Sequence, residues 1–351
     1  MKIKYAVVLI CTFLILFFSQ AAWASNQIAG SSDTLTLSLE NDAFGFDNKD
    51  RHYTHGTKIS WLSRNLSNYR EIEWLPGFFH TAIDRLPVIH DANRLRTLSL
   101  SLGQSVYTPE DRARTDLIFN DRPYAGVLYM GLGLHSRNSR FMDSIELVAG
   151  LVGRHSYAQD IQKVVHEWTD TLIPQGWEHQ LHDEPIVNLY IERKWKAKRL
   201  GHAEGLGFDA IPHAGLAVGN AYTGINVGGQ MRFGWNLPND FGTYLIRPGS
   251  DANAPAEDTD PRFFQPRHRF GIHGFLALDG RAVARDILLD GNTFRKSHSV
   301  NKEPFVADCI GGVGLIIHRF KITYALVYRT KEFKTQSKEQ YFGSISISYT
   351  F

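Results

Sequence analysis

The stretch from Tyr341 to Phe351 alternates without a break. Ile345, Ile347, Tyr349 and Phe351 share one parity, while Ser344, Ser346, Ser348 and Thr350 share the other. In a β-strand those two sets face opposite sides. One side is apolar with aromatics near its end; the other is small and hydroxylic. That pairing fits a wall between lipid and a polar lumen. A soluble sandwich strand could carry the same alternation, but a strand stopping on Phe351 in an exported chain favours a barrel.

Export is read from the other end. Lys2 and Lys4 precede an apolar run from Ala6 to Phe18, followed by the small-x-small triplet Ala22-Trp23-Ala24. This order is a secretory signal peptide over residues 1–24, with the mature chain starting at Ser25. The run is shorter than the ~20 residues a membrane-spanning helix needs. Cys11 lies inside the run, too early for a lipoprotein cysteine. Its removal leaves Cys309 alone, so no internal disulfide is expected.

Composition hides such a fold. Charged residues are 21% of the chain and the mean hydropathy is −0.24, values that by themselves suggest a soluble protein. A barrel gives the same average because half of every strand is polar. The formal charge is +2, which the two leader lysines account for. A near-neutral mature chain gives no reason to expect nucleic acid.

Twelve alternating segments follow: 33–42, 53–63, 95–107, 122–136, 142–153, 185–196, 206–219, 225–236, 267–288, 305–318, 321–330 and 340–351. The expected fold is all-β: a single twelve-stranded antiparallel transmembrane β-barrel over 25–351, with a short helix at the extracellular mouth. An even count puts both termini in the periplasm. Loops 43–52, 108–121, 154–184 and the Pro- and Asp-rich 237–266 are expected outside the cell, with short turns at 137–141 and 319–320. Segment 64–94 is long for a periplasmic turn. It carries Trp74-Leu75-Pro76-Gly77-Phe78-Phe79 and reads as a short interfacial helix, a turn insertion without a function of its own.

Polar residues gather at the outward rim. Strand 1 ends in Glu40-Asn41-Asp42, strand 2 begins with Tyr53-Thr54-His55-Gly56, and Arg112 and Arg114 follow strand 3. Strand 4 opens with Asn120-Asp121-Arg122-Pro123, where Asp121 and Arg122 suit a lumen ion pair. Parity places Asp42 and Thr54 inward; Asn41 has the opposite parity at an irregular rim. Residues 157–169 read as a helix, with Ile161, Val164, Val165 and Trp168 as one apolar stripe. Packed on the mouth by that stripe, it would turn His166 toward the rim. Each piece alone has a plainer reading: a turn start, an exposed loop histidine. Together the carboxylate, amide and hydroxyl oxygens suit Ca²⁺, with histidines nearby that could also hold Zn²⁺. A neutral imidazole beside the cation could deprotonate water, and the cation could hold an ester oxyanion. No Gly-x-Ser-x-Gly elbow occurs.

These segments resemble the lipid A 3-O-deacylases of Gram-negative outer membranes. The likeness rests on Glu40-Asn41-Asp42-Ala43-Phe44, Asp50-Arg51-His52-Tyr53-Thr54-His55-Gly56, Asn120-Asp121-Arg122-Pro123-Tyr124-Ala125-Gly126, Ile161-Gln162-Lys163-Val164-Val165-His166 and Gln175-Gly176-Trp177-Glu178-His179-Gln180. Asp183-Glu184-Pro185 and the strand ending at Trp195 extend it. The resemblance implies removal of the acyl chain ester-linked at the 3′ position of lipid A, within lipopolysaccharide, by histidine-activated water and a Ca²⁺ oxyanion hole. It implies His166 as catalytic histidine, Asn41, Asp42 and Thr54 as catalytic partners, Asn41 and Asp42 as metal ligands, and Arg114 in place of a substrate-binding lysine. A family acid six residues after the histidine falls here at Leu172; the nearest acids are Glu167 and Asp170. The expected partners are lipid A and outer-membrane lipid, with the chain a monomer. Two other readings stay open: an outer-membrane phospholipase with a catalytic serine, and a non-enzymatic pore or adhesin.

Overall fold

The computed structural model describes residues 32–45, 52–85, 94–202, 204–243, 245–246, 254–256, 260–262 and 270–351. The leader assigned to residues 1–24 lies outside them. Twelve long strands run in sequence: β1 (Thr34–Asn41), β2 (His52–Leu62), β3 (Leu95–Thr108), β4 (Ala125–Arg137), β5 (Phe141–Val152), β6 (Glu184–Trp195), β7 (Leu206–Gly219), β8 (Tyr222–Trp235), β9 (Phe270–Asp286), β10 (Phe305–Ile317), β11 (Phe320–Arg329) and β12 (Gln340–Thr350). Each pairs antiparallel with the next. β6 joins β7 through Ile191↔Leu216, and β1 closes on β12 through Leu37↔Ile347, so no edge is left. A two-residue strand, Leu200–Gly201, adds to the start of β7.

Parity behaves as the alternation requires. Ser346, Ser348, Thr350 and Thr36 are buried inside, with Thr36 Oγ1 donating to Ser348 Oγ at 2.9 Å across the seam. Leu102, Met130, Val187, Val227, Leu278 and Val313 stand exposed outside. An apolar exterior round a polar interior is stable only where the exterior meets hydrocarbon. The protein is an integral outer-membrane β-barrel. Among the described residues, no helix is long and apolar enough to cross a membrane.

The end that holds both termini has short turns, at 138–140 and 318–319; the opposite rim carries the long loops 109–124 and 153–183. An even strand count puts both termini in the periplasm, which orients the opposite rim outward. Two strands start elsewhere than the alternation suggests. β4 begins at Ala125, because Pro123 cannot donate to a ladder. β8 begins at Tyr222, leaving only Asn220 and Ala221 as a turn.

Residues 64–85 pack on the outer wall at the terminal end. Their helix α1 (Gly77–Ile83) and the turn Tyr69–Glu71 bring Leu66, Tyr69, Ile72, Leu75 and Ile83 onto Leu98 and Leu134. Trp74 and Phe78 remain exposed, as an interfacial helix requires.

Segment 237–266 is not an outer loop. β8 is an even strand and delivers the chain to the terminal end, where the described residues of the segment, among them 237–243 and 245–246, fold back into the lumen. The Gln230 amide donates to Thr243 O at 3.0 Å, and the Ile246 amide donates to the Glu40 carboxylate at 2.6 Å near the far rim. Its foot is ionic: Asp240 meets Arg232 at 2.5 Å, Lys321 at 2.6 Å and Arg262 at 3.2 Å, all fully buried. Burial alone would raise the Asp240 carboxyl; the three cations hold it well below the carboxylate range. Above the segment lies a cavity of about 230 Å³ bounded by Tyr53, Tyr107, Leu245 and Ile246.

Candidate active site

β1 ends where Asn41 leaves the ladder. Its side-chain oxygen accepts from the Ala43 amide at 2.7 Å and caps the short turn Asp42–Phe44. Asp42 begins that turn and is only 2% exposed.

β2 carries a bulge between Tyr53 and His55, so Thr54 has no partner in the β3 register. The bulge overturns the simple parity. Tyr53 takes the inward place, lining the cavity and donating to Glu40 at 2.9 Å. Thr54 turns instead to Thr108, hydroxyl to hydroxyl at 2.9 Å. Thr108 shares the parity of Val106, which lies outside the wall and under Ala158. Thr54 is therefore on the outer side of the rim, beneath the helix, and not in the lumen. Bulges beside functional sites re-aim side chains in this way.

The helix, α2 (Ala158–Thr169), is set against that outer wall. Tyr157 before it and Asp170 after it are both left-handed, with φ of 58° and 52°. Gly126 on β4 permits the close seat: a Cβ there would lie 2.1 Å from Ser156 Oγ and 2.2 Å from Ala158 Cβ. The face turned to the barrel is Ala158, Gln162 and His166. The apolar stripe does not pack on the mouth; Val165 is 41% and Trp168 55% exposed. The barrel side is taken instead by Ala158, whose small side chain lets the helix sit close to Gly126.

His166 is buried, and its Nδ1 donates to the Leu172 carbonyl at 2.6 Å. The bond assigns the tautomer and makes Nε2 the basic nitrogen. Burial pushes the imidazole below its ordinary value; the nearby Arg112 charge adds to this, and the Leu172 carbonyl opposes it. The backbone thus occupies the place of the acid expected six residues after the histidine. The Leu172 side chain itself is exposed, as are Glu167 and Asp170.

Of the two loop arginines, Arg112 is the one drawn into the site. Burial lowers its pKa, and the Asp42 carboxylate works against that shift. The same guanidinium bears on His166, which ties Asp42 and His166 to one cation. Arg114 is half-exposed and paired with Asp116, its Nε donating to Oδ1 at 2.9 Å. The loop 171–183 braces Arg112 and α2: Gln175 N donates to Arg112 O at 2.9 Å, and Trp177 Nε1 to Gln162 Oε1 at 2.9 Å. Arg122 is not paired to Asp121 through its guanidinium. It reaches Glu332 at 3.1 Å and stacks 4.5 Å over Tyr107.

The metal expectation is tested by the donors present. Asp42 supplies one buried carboxylate, with amide and hydroxyl oxygens from Asn41 and Thr54 nearby in the fold. Among the described residues no three His, Cys, Asp or Glu side chains converge. An all-oxygen set with a single carboxylate suits a weakly held hard cation such as Ca²⁺ better than Zn²⁺.

Thr108 and the Leu172 carbonyl are absent from the residues the sequence singles out, and Arg112 is placed at the rim there without a role of its own. Arg112 stands two residues from Arg114 in a loop without periodicity. A backbone acceptor leaves no signature at all.

Comparison with known proteins completes the picture. LpxR from Salmonella typhimurium is similar in structure, with a TM-score of 0.68 at 17% identity, over 91% of this chain and 100% of that one. The β domain of the Bordetella autotransporter BrkA covers 91% of this chain and 98% of its own at a TM-score of 0.40 and 8% identity. Comparison with curated proteins finds no match. The family model described as outer membrane protein LpxR matches residues 8–351. With the rim segments and the helix in the order that the motifs imply, the chain belongs to the LpxR family of outer-membrane proteins, the lipid A 3-O-deacylases.

Proposed function

We propose that this barrel is an esterase that removes the 3′-linked acyloxyacyl chain of lipid A, using water activated by His166. The observation that carries the reading is the His166–Leu172 bond at 2.6 Å, which presents Nε2 as a base on the wall side of α2. Burial and Arg112 keep that imidazole neutral at physiological pH, the form a general base needs.

Water bound at Nε2 gives up its proton as its oxygen adds to the ester carbonyl. The tetrahedral adduct collapses by breaking the bond to the sugar oxygen. The imidazolium returns its proton to that oxygen, leaving a fatty acid and a free hydroxyl. Asp42, with oxygens from Asn41 and Thr54, would hold Ca²⁺, which when bound supplies positive charge to the carbonyl oxygen. Thr108 positions Thr54 for this role. Arg114, on the exposed part of the rim, offers a cation to the phosphates of the substrate.

The test is mass spectrometry of lipid A from cells with and without the chain. Loss of one acyloxyacyl unit, abolished by His166→Ala, is the expected result. Unchanged lipid A in cells that carry folded protein overturns the reading.

A further inference from the structure

Helix α2 presents three faces, not two. At about 100° per residue, Ala158, Gln162 and His166 form one stripe, Asp160, Lys163 and Glu167 a second, and Ile161, Val164, Val165 and Trp168 a third. The stripes stand roughly a third of a turn apart. The first is buried on the barrel, the charged stripe is exposed, and the apolar stripe ends in the exposed Val165 and Trp168. Tyr157 and Leu172, at either end of the helix, are exposed as well, at 55% and 53%.

The apolar stripe continues an interface that already exists. On β3 and β4 the lipid-facing pair Leu102↔Met130 is 51% and 65% exposed. Two residues further along β3, about 7 Å higher on the wall, Gln104 Nε2 donates to Ser156 O at 2.6 Å, and Val106 is covered by Ala158. The helix therefore begins where the hydrocarbon belt stops.

We propose that α2 is an in-plane membrane helix, with its apolar stripe seated in the acyl chains of the outer leaflet. Its charged stripe faces water and its third face holds the barrel wall. This arrangement sets His166 at the boundary between acyl chains and headgroups. It is independent of the chemistry assigned to that residue.

The test is photocrosslinking in intact outer membranes, with p-benzoylphenylalanine in place of one residue at a time. Leu102, in the belt, is the positive control, and retained heat-modifiable mobility of the barrel reports folding. Val165 and Trp168 are expected to give lipid adducts at the level of Leu102, and Lys163 and Glu167 at least tenfold fewer. The proposal is overturned if Trp168 yields none while Leu102 does, or if Glu167 labels lipid as strongly as Trp168.

Discussion

His166 Nδ1 and the carbonyl oxygen of Leu172 are 2.6 Å apart, joined across the last turn of α2. The chain passes Asp170 in the left-handed region and returns its backbone to the ring. A main-chain atom thus performs the orienting role that catalytic histidines commonly assign to a carboxylate.

The first prediction concerns pH. The folded imidazole titrates below its ordinary range, so its protonation opposes folding. Stability from this group is present above about pH 6.5, the unfolded value, and falls as pH drops below it. Hydrolysis should hold a plateau from neutral pH through that value, with its acid limb lower still. An acid limb above it would contradict the assignment. His166→Ala should lower the rate by about 10²–10⁴-fold.

Arg112 and Arg114 should separate cleanly. Arg112→Ala removes a cation that presses on His166, so the acid limb should move to higher pH and the rate should fall. Arg112→Lys should restore the limb. Arg114→Ala leaves the limb in place and weakens substrate affinity. A pH-rate profile for each variant decides, and equal profiles would remove Arg112 from the site.

The proposed site makes calcium dependence an expected outcome. Chelation should abolish hydrolysis, and Ca²⁺ should restore it better than Mg²⁺, which demands stricter geometry. Asp42→Asn should raise the Ca²⁺ concentration for half-activity at least tenfold. Activity that survives chelation would end the oxyanion-hole assignment.

Gly126→Val should dismount the helix without unfolding the barrel. Its side chain would fall on Ser156 and Ala158, at distances no real contact allows. The expected result is loss of hydrolysis with normal heat-modifiable mobility. A fully active variant would mean that α2 need not hold its seat.

Asp240→Ala should loosen the lumen segment. It leaves Arg232, Arg262 and Lys321 without the carboxylate they share, a change that costs about 3–5 kcal/mol for buried ion pairs. Bilayer recordings are expected to be silent for the native chain and conducting for the variant. A native chain that conducts would favour the pore reading.

Much of the wall is legible in the sequence because lipid and lumen enforce a period of two from Thr34 to Thr350. Asn41, Asp42, Thr54 and His166 are legible through short motifs, and their rim is set by strand direction. The bulge at Thr54 is not, since one extra residue alters no local pattern. The stripe of α2 is visible, but which way it faces depends on whether water or acyl chains surround it. The course of 237–266 follows from strand count, yet its Pro and Asp content resembles an exposed loop. Within the lumen, Asp240 is met by Arg232 and Lys321, and the Ile246 amide by Glu40.

That segment touches both sides of the barrel seam. Ile246 bonds to Glu40 on β1, and Asp240 bonds to Lys321 on β11, next to β12. The segment enters and leaves the lumen at one end, so these two bonds tie the strands on either side of the seam to a common piece of chain. It acts as an internal strut across the closed seam, and Asp240→Ala should lower the temperature at which heat-modifiable mobility is lost.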